Sequence, residues 1–232
     1  MPDFDVAMLA CHIASCLELF LYFTGFLSCA SSLSFELVLL CVKTILELFL
    51  DALSTDLVFH HGLMVIAASA SLFYYDEQVC VVLFAQNIHI PLAVQYARRL
   101  SGASRGSWLD ISFAAAWLLV VFARGGALLS ACVQARAAST PIWLLYPGTI
   151  GLLAMDFQWT KETFQKRPKP PGALLLLAGG FATGAFHQSD LARCFWASVC
   201  GATLLVVGAT LACMPASAER RARSGDQKLT TD

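Results

Sequence analysis

Apolar runs of about 17–24 residues recur along the whole chain, and each is long enough to cross a bilayer as a helix. Of 232 residues, 58% are apolar and 13% are charged, against roughly 25% charged in an average soluble domain. The runs lack the alternation of barrel strands. The sequence therefore predicts an all-α, multi-pass transmembrane helical bundle and argues against a soluble enzyme. The net charge of −1 offers no basic surface, so no nucleic-acid partner is expected.

We predict eight transmembrane helices joined by short connections. Their ranges are 6–29, 33–51, 57–75, 79–98, 108–130, 141–159, 172–188 and 192–213. The sixth span is followed by KRPKPP at 166–171, and consecutive prolines end a helix and stiffen the residues after it. We therefore predict a six-helix core at 1–168, a two-helix appendage at 169–214, and a disordered cytosolic tail at 215–232.

Basic residues at the ends of the predicted spans or beyond them are distributed unequally between the two sides of the bundle. Eleven fall on one side and two fall on the other. The eleven are Arg98, Arg99, Arg105, Lys161, Lys166, Arg167, Lys169, Arg220, Arg221, Arg223 and Lys228, and the two are Arg136 and Arg193. Because cytosolic loops of membrane proteins are enriched in Lys and Arg, both termini are expected in the cytosol.

The nine cysteines are scattered, mostly inside apolar runs, and no C-x-x-C pair occurs. We expect them to pack as small apolar side chains rather than to form a disulfide framework or a zinc site. The five histidines do not form the repeated H-x-x-H-H boxes of di-iron membrane enzymes. No metal and no other cofactor is therefore expected.

Ionisable residues inside the predicted spans concentrate in the first half of the chain. Each is a candidate for a functional site, because a charge in lipid is costly. Lys43, Glu47 and Asp51 are spaced four apart and fall on one face of the second span. Two interpretations are open for this face. Its charges neutralise one another as a ladder, or they line a cavity that holds a lipid headgroup or reacting groups.

His60 and His61 form an adjacent pair one turn after Asp56. Adjacent helical side chains point about 100° apart, so one ring can face a cavity while the other orients it. A neutral imidazole can act as a base or a nucleophile, and Asp56 can fix the tautomer of His60. The alternative is that both rings only hydrogen-bond across helices. The candidate catalytic residues are His60, His61, Asp51 and Asp56.

Three further ionisable residues lie in later predicted spans. Pro91 follows His89, so we expect the fourth span to be bent or broken there, with freed backbone carbonyls that can line a cavity. Arg124 either pairs with an acidic side chain, Asp156 or one from the second span, or binds a phosphate or carboxylate. The candidate substrate-binding residues are Lys43, Glu47, His89, Arg124 and Asp156.

The order of these features resembles the TLC-domain family, which includes ceramide synthases and the translocation-associated membrane protein. DLVFHHGLMV at 56–65 is similar to its paired histidine, and NIHIPLAVQYARRL at 87–100 to its Ser-Thr-Pro break. VFARGGALL at 121–129 is similar to its F-x-x-R-x-G segment, and MDFQWTKETFQK at 155–166 to its Asn-x-x-Trp helix end. The resemblance covers roughly residues 30–168.

The resemblance implies a six-helix core, an endoplasmic reticulum location and membrane lipids as partners. It also implies acyl transfer from a thioester, with acyl-CoA as a substrate, to an amine or hydroxyl. In that reaction His60 or His61 would be the base or the acyl acceptor, oriented by Asp51 and Asp56. Lys43 and Arg124 would handle negative charge from the donor or headgroup. The oligomeric state stays open.

Two departures keep other functions open. His89 and Ile90 stand where the family has Ser and Thr, and the extended acidic motif of ceramide synthases is absent. A non-catalytic lipid-binding or membrane-scaffold protein is therefore the alternative. A fatty-acid elongase, with its K-x-x-E-x-x-D motif, is a third interpretation, although Lys43, Glu47 and Asp51 are spaced by four instead of three.

Overall fold

The computed structural model describes residues 2–49, 55–74, 81, 84–137, 142–165, 167 and 169–214. These residues form eight α-helices and contain no strand, which confirms the all-α prediction. The helices are α1 (Pro2–Phe23), α2 (Cys29–Phe49), α3 (Thr55–Tyr74), α4 (His89–Ser101), α5 (Trp108–Ala137), α6 (Ile142–Gln165), α7 (Ala173–Ala185) and α8 (Asp190–Ala212).

Four of the eight helices, α1, α2, α5 and α8, are long and apolar enough to cross a membrane. Their candidate spans are Phe4–Phe23, Cys29–Leu48, Trp108–Gln134 and Asp190–Ala212. α3 and α7 carry shorter apolar stretches, Leu57–Ile66 and Ala173–Ala185. The described helices are therefore compatible with a multi-pass membrane protein, and four of the eight predicted spans reach this length and composition.

The fourth predicted span, 79–98, is interrupted. A 3-10 turn at Gln86–Ile88, all three residues of which are buried, leads directly into α4. α4 has 13 residues and begins at His89. Pro91 lies in its first turn, where the missing N–H costs no helical hydrogen bond. The break occurs where the sequence predicts it, but on the amino side of His89.

Close backbone contact joins α7 to α5, and glycines permit it. A Cβ added at Gly180 would collide with the backbone of Leu119, and one added at Gly184 would collide with the backbone of Ala123. Gly126 of α5 meets the backbone of α7 in the same way. The G-x-x-x-G spacing of Gly180 and Gly184 thus allows the two helices to approach more closely than larger residues would allow.

Both helices of the predicted appendage contact helices of the predicted core. α7 packs on α5, whereas α8 packs on α1 and α4. Trp196 of α8 is fully buried, and its ring meets the edge of Phe84 at a centroid distance of 5.4 Å. The domain boundaries at 168 and 214 stay predictions, and the tail at 215–232 lies outside the described residues.

One cysteine contradicts the expectation for this residue type. Cys29, the first residue of α2, is disulfide-bonded. The fold brings the two residues of a disulfide together, so the scattered spacing in the sequence did not reveal it. Cys11, Cys16 and Cys200 are buried free thiols, as expected for small apolar side chains.

We predict that Gly184→Ala lowers the free energy of unfolding by about 1–3 kcal/mol, because the added methyl group overpacks the α5–α7 contact. Gly179→Ala is the matched control, since a Cβ on Gly179 of the same helix has nothing within 4 Å. Thermal unfolding in detergent measures both variants. Equal melting temperatures for the two variants would contradict the close packing.

Candidate functional site

The first six helices surround a cavity of about 430 Å³. This volume falls within the range of about 300–1,000 Å³ that is typical of small-molecule sites. Four of the five histidines of the chain line it, and its walls include the aromatic rings of Trp117 and Trp159. The four histidines are His12, His60, His61 and His89. The fold therefore brings together imidazoles from α1, α3 and α4 that are far apart in sequence.

The cavity lies at the end of the bundle where α1, α3 and α5 begin and α2 and α6 end. Arg167 lies at its rim, with Nε 3.1 Å from Oδ1 of Asp110 and the guanidinium 4.8 Å from the ring centroid of Phe113. Nε of Arg98 is 3.5 Å from the same Asp110 oxygen. Arg167 at the rim, and Arg98 beside it, are two of the basic residues that are expected on the cytosolic side.

His89 is the centre of a buried polar group, which we call the His89 cluster: His12, Glu36, Lys43, Gln86 and His89. Nδ1 of His89 is 3.0 Å from Nδ1 of His12, and Nε2 is 3.0 Å from Nζ of Lys43. The same Nε2 is 3.2 Å from Oε1 of Gln86 and 3.3 Å from Oε2 of Glu36. Lys43 and Glu36 thus approach one imidazole with opposite charges, which offset each other in the interior.

His61 is held by two side chains of α2. Its Nδ1 is 3.0 Å from Oγ1 of Thr44 and 3.5 Å from Oε2 of Glu47. A carboxylate beside one imidazole nitrogen orients the ring and stabilises the imidazolium that forms when the other nitrogen takes a proton. Glu47, which the sequence analysis assigns to substrate binding, therefore occupies the position expected for an orienting carboxylate.

His60 lines the cavity through ring contacts. Its centroid is 5.2 Å from that of Trp159, in an edge-on arrangement, and 5.7 Å from that of His61. Its Nδ1 is buried and has no hydrogen-bond partner among the described residues. Asp51 lies outside the described residues. Asp56 falls in the first turn of α3, and its side chain also lies outside the described part of the chain.

Arg124 and Asp156 form a buried ion pair between α5 and α6. Nη1 of Arg124 is 2.7 Å from Oδ1 of Asp156, and the two side chains are 0% and 2% exposed. Asp156 is one of the acidic partners predicted from the sequence. Neither residue lines the cavity, so the geometry favours the structural interpretation of Arg124 over the anion-binding one.

Three members of the His89 cluster, His12, Glu36 and Gln86, are not among the site residues predicted from the sequence. The sequence contains a signal for Glu36: Lys43 follows it by seven residues and Glu47 follows Lys43 by four, so the three side chains share one helical face. No such spacing marks His12 or Gln86. Their proximity to His89 arises from the packing of α1 against α4 and from the 3-10 turn, neither of which a local pattern encodes.

We predict that Arg124→Met lowers the free energy of unfolding by about 3–5 kcal/mol, because it leaves the Asp156 carboxylate buried without its partner. The double variant Arg124→Met/Asp156→Leu should recover most of this loss, since it removes both charges. Denaturant unfolding in detergent checks both variants. A single variant as stable as the double variant would show that the pair does not connect α5 to α6 energetically.

The cavity combines imidazole bases, one ammonium group and two carboxylates with an aromatic wall. Among the described residues, no group of three or more His, Cys, Asp or Glu side chains could hold a metal ion. The polar groups are of the kind that move protons and bind a polar headgroup next to an apolar chain. No family model, no curated protein and no solved structure matches this chain.

Proposed function

We propose that this protein is a TLC-type lipid enzyme of the membrane, which transfers an acyl group from a thioester to an amine or hydroxyl. The observation that carries the proposal is the convergence of His60, His61 and Glu47 on one apolar-walled cavity. The resemblance of the motif order to the TLC-domain family supports it, because the resembling segments contribute the third, fourth and sixth helices to this cavity.

In the proposed reaction His61 is the base. Glu47 and Thr44 engage its Nδ1, which leaves Nε2 to accept a proton from the hydroxyl or amine of the acceptor. The acceptor atom then attacks the thioester carbonyl carbon, the carbon–sulfur bond breaks, and the leaving thiolate takes the proton back from the imidazolium. Lys43, as a buried ammonium, would stabilise the negative charge that develops on the carbonyl oxygen.

A groove on the outside of the bundle supports the choice of a lipid substrate. It measures about 630 Å³ and runs between α2 and α3. Its apolar side chains Leu48 and Ile66 are 66% and 67% exposed. His61 lines both this groove and the cavity. An acyl chain could therefore lie in the groove while its carbonyl carbon reaches the imidazole.

The proposal includes an endoplasmic reticulum location with both termini in the cytosol. The cavity rim with Arg167 would then face the cytosol, from which a water-soluble thioester such as acyl-CoA can enter. The disulfide at Cys29 supports this orientation, because it lies at the opposite end of the bundle. Disulfides persist in oxidising compartments and are rare in the cytosol.

Non-catalytic lipid binding is the second candidate function, and the α2–α3 groove favours it. A groove that accepts an acyl chain serves a lipid sensor as well as an enzyme. The absence of the extended acidic motif of ceramide synthases agrees with a protein of this type that binds lipid but lacks residues needed for catalysis. In this case His60 and His61 would bind a headgroup, and the lipid would leave unchanged.

The first test compares the lipids of membranes that express the wild type or His60→Ala/His61→Ala at matched protein level. We expect mass spectrometry to show an acyl-lipid class that rises with the wild type and disappears with the double variant. His187→Gln is the control, because His187 is a buried histidine that does not line the cavity. Identical lipid profiles with lipid still bound to both proteins would overturn acyl transfer and favour lipid binding.

A second prediction concerns access from the bilayer. Gly62 lines the groove, and a Cβ added there has nothing within 4 Å. We expect Gly62→Phe to fill the groove and to abolish both product formation and lipid co-purification without loss of thermal stability. Gly179→Phe, at an equally open position on α7, should leave both unchanged. Wild-type lipid content in Gly62→Phe would show that lipid does not enter between α2 and α3.

A further inference from the structure

Polar side chains continue from the cavity into the interface between α1 and α2. His12, Ser15 and Glu18 are spaced by three residues along α1, and Ser32 and Glu36 are one turn apart on α2. All five are at most 3% exposed. Both helices carry candidate membrane spans, so this polar interface lies inside the apolar part of the bundle. Buried ionisable groups in such a position are costly and point to a function.

Two carboxyl groups meet in this interface. Glu18 lies beside Glu36, with Ser32 close to Glu18 and Ser15 close to Glu36. Neither serine hydroxyl and none of the four carboxyl oxygens has a well-aligned hydrogen-bond partner among the described residues. Two carboxyl groups this deep inside an apolar bundle are costly unless their charges are compensated.

The charges around the two carboxyl groups indicate that the pair holds a proton. Lys43 is the cation near Glu36, and no cation among the described residues acts on Glu18. Two carboxylates in contact inside a low-dielectric interior do not both ionise. With Lys43 compensating one negative charge, the second carboxyl group is neutral only if it holds a proton. The other titratable groups near the pair are Cys11, His12, Cys16, Tyr22, His89 and Cys200.

His89 connects the carboxyl pair to the cavity, which its ring also lines. Its Nε2 is 3.3 Å from Oε2 of Glu36, and its Nδ1 is 3.0 Å from Nδ1 of His12. With a proton on Nε2 the ring can donate to Glu36. With the proton on Nδ1 it can donate to His12 and accept from Lys43. The Nδ1 tautomer fits the contacts with both His12 and Lys43, whereas a protonated Nε2 would face the Lys43 ammonium group. In the Nδ1 tautomer, Nε2 is also the atom that can take a proton from Glu36.

We propose that Glu18 and Glu36 form a proton-binding pair that exchanges one proton with the cavity through His89. The proton of the Glu18 carboxyl group moves to the Glu36 carboxylate, so the negative charge passes to Glu18. Glu36 then gives this proton from Oε2 to Nε2 of His89, which leaves a carboxylate and an imidazolium. The imidazolium releases the Nδ1 proton to His12 or to a group in the cavity. This proton site stands on its own geometry, whether or not the cavity transfers acyl groups.

Infrared spectroscopy of the full chain in lipid nanodiscs tests the pair directly, because a protonated carboxyl group has its own C=O stretching band. All spectra use a Glu47→Gln background, so that the buried carboxyl group of the cavity does not contribute. We expect a protonated-carboxyl band at neutral pH that shifts in deuterium oxide. Glu18→Gln should abolish it, because Glu36 then ionises beside Lys43.

Glu36→Gln has a different expected outcome, which separates proton binding from a merely structural role. Glu18 then lacks a cation and stays protonated, so the band should persist at a shifted frequency. The exposed Asp190 of α8 supplies the control, and Asp190→Asn should leave the band unchanged. A wild type without the band, or a band unaffected by Glu18→Gln, would overturn the proposal.

The route through His89 has its own test. In His89→Gln, deuterium exchange of the carboxyl proton should slow by at least about tenfold, because exchange then waits for local opening of the helix interface. His187→Gln, which changes a buried histidine away from the cavity, should exchange at the wild-type rate. Wild-type exchange in His89→Gln would overturn the route through His89. If the wild type transfers no acyl group but its carboxyl proton exchanges as expected, the proton site stands and only the enzymatic proposal is rejected.

Discussion

The structure depends on one constraint: a charge buried in this apolar bundle needs a partner, and the partner lies on another helix. Arg124 finds Asp156 across the α5–α6 interface at 2.7 Å. Lys43 and Glu36 of α2 meet His89 of α4, and Glu47 of α2 meets His61 of α3. Breaking a buried pair leaves an uncompensated charge, so each contact helps to specify which helices become neighbours.

Apolar packing holds the remaining helices. Gly180 and Gly184 of α7 and Gly126 of α5 bring two backbones into direct contact, while Trp196 of α8 fills the space beside Phe84. These contacts involve the two helices of the predicted appendage and leave the cavity among α1 to α6 unobstructed. Small residues thus permit the close approach of α5 and α7, whereas the polar side chains lie among α1 to α6.

The cavity, the groove and the carboxyl pair form a connected arrangement around two histidines. His61 lies between the cavity and the α2–α3 groove, where an acyl chain and a polar group could meet. His89 lies between the cavity and the Glu18–Glu36 pair, where protons could be stored.

The sequence alone determined the helical class, the break before Pro91, the pairing candidates of Arg124 and the choice of His60 and His61 as candidate site residues. These features are encoded locally, by hydropathy, by proline and by the cost of charge in an apolar span. The tertiary structure decided that Glu47 contacts His61, that His12 and Glu36 join His89, and that Cys29 is disulfide-bonded. The spacing of residues along a helix determines which side chains share a face, but only the packing of the helices determines which faces contact each other.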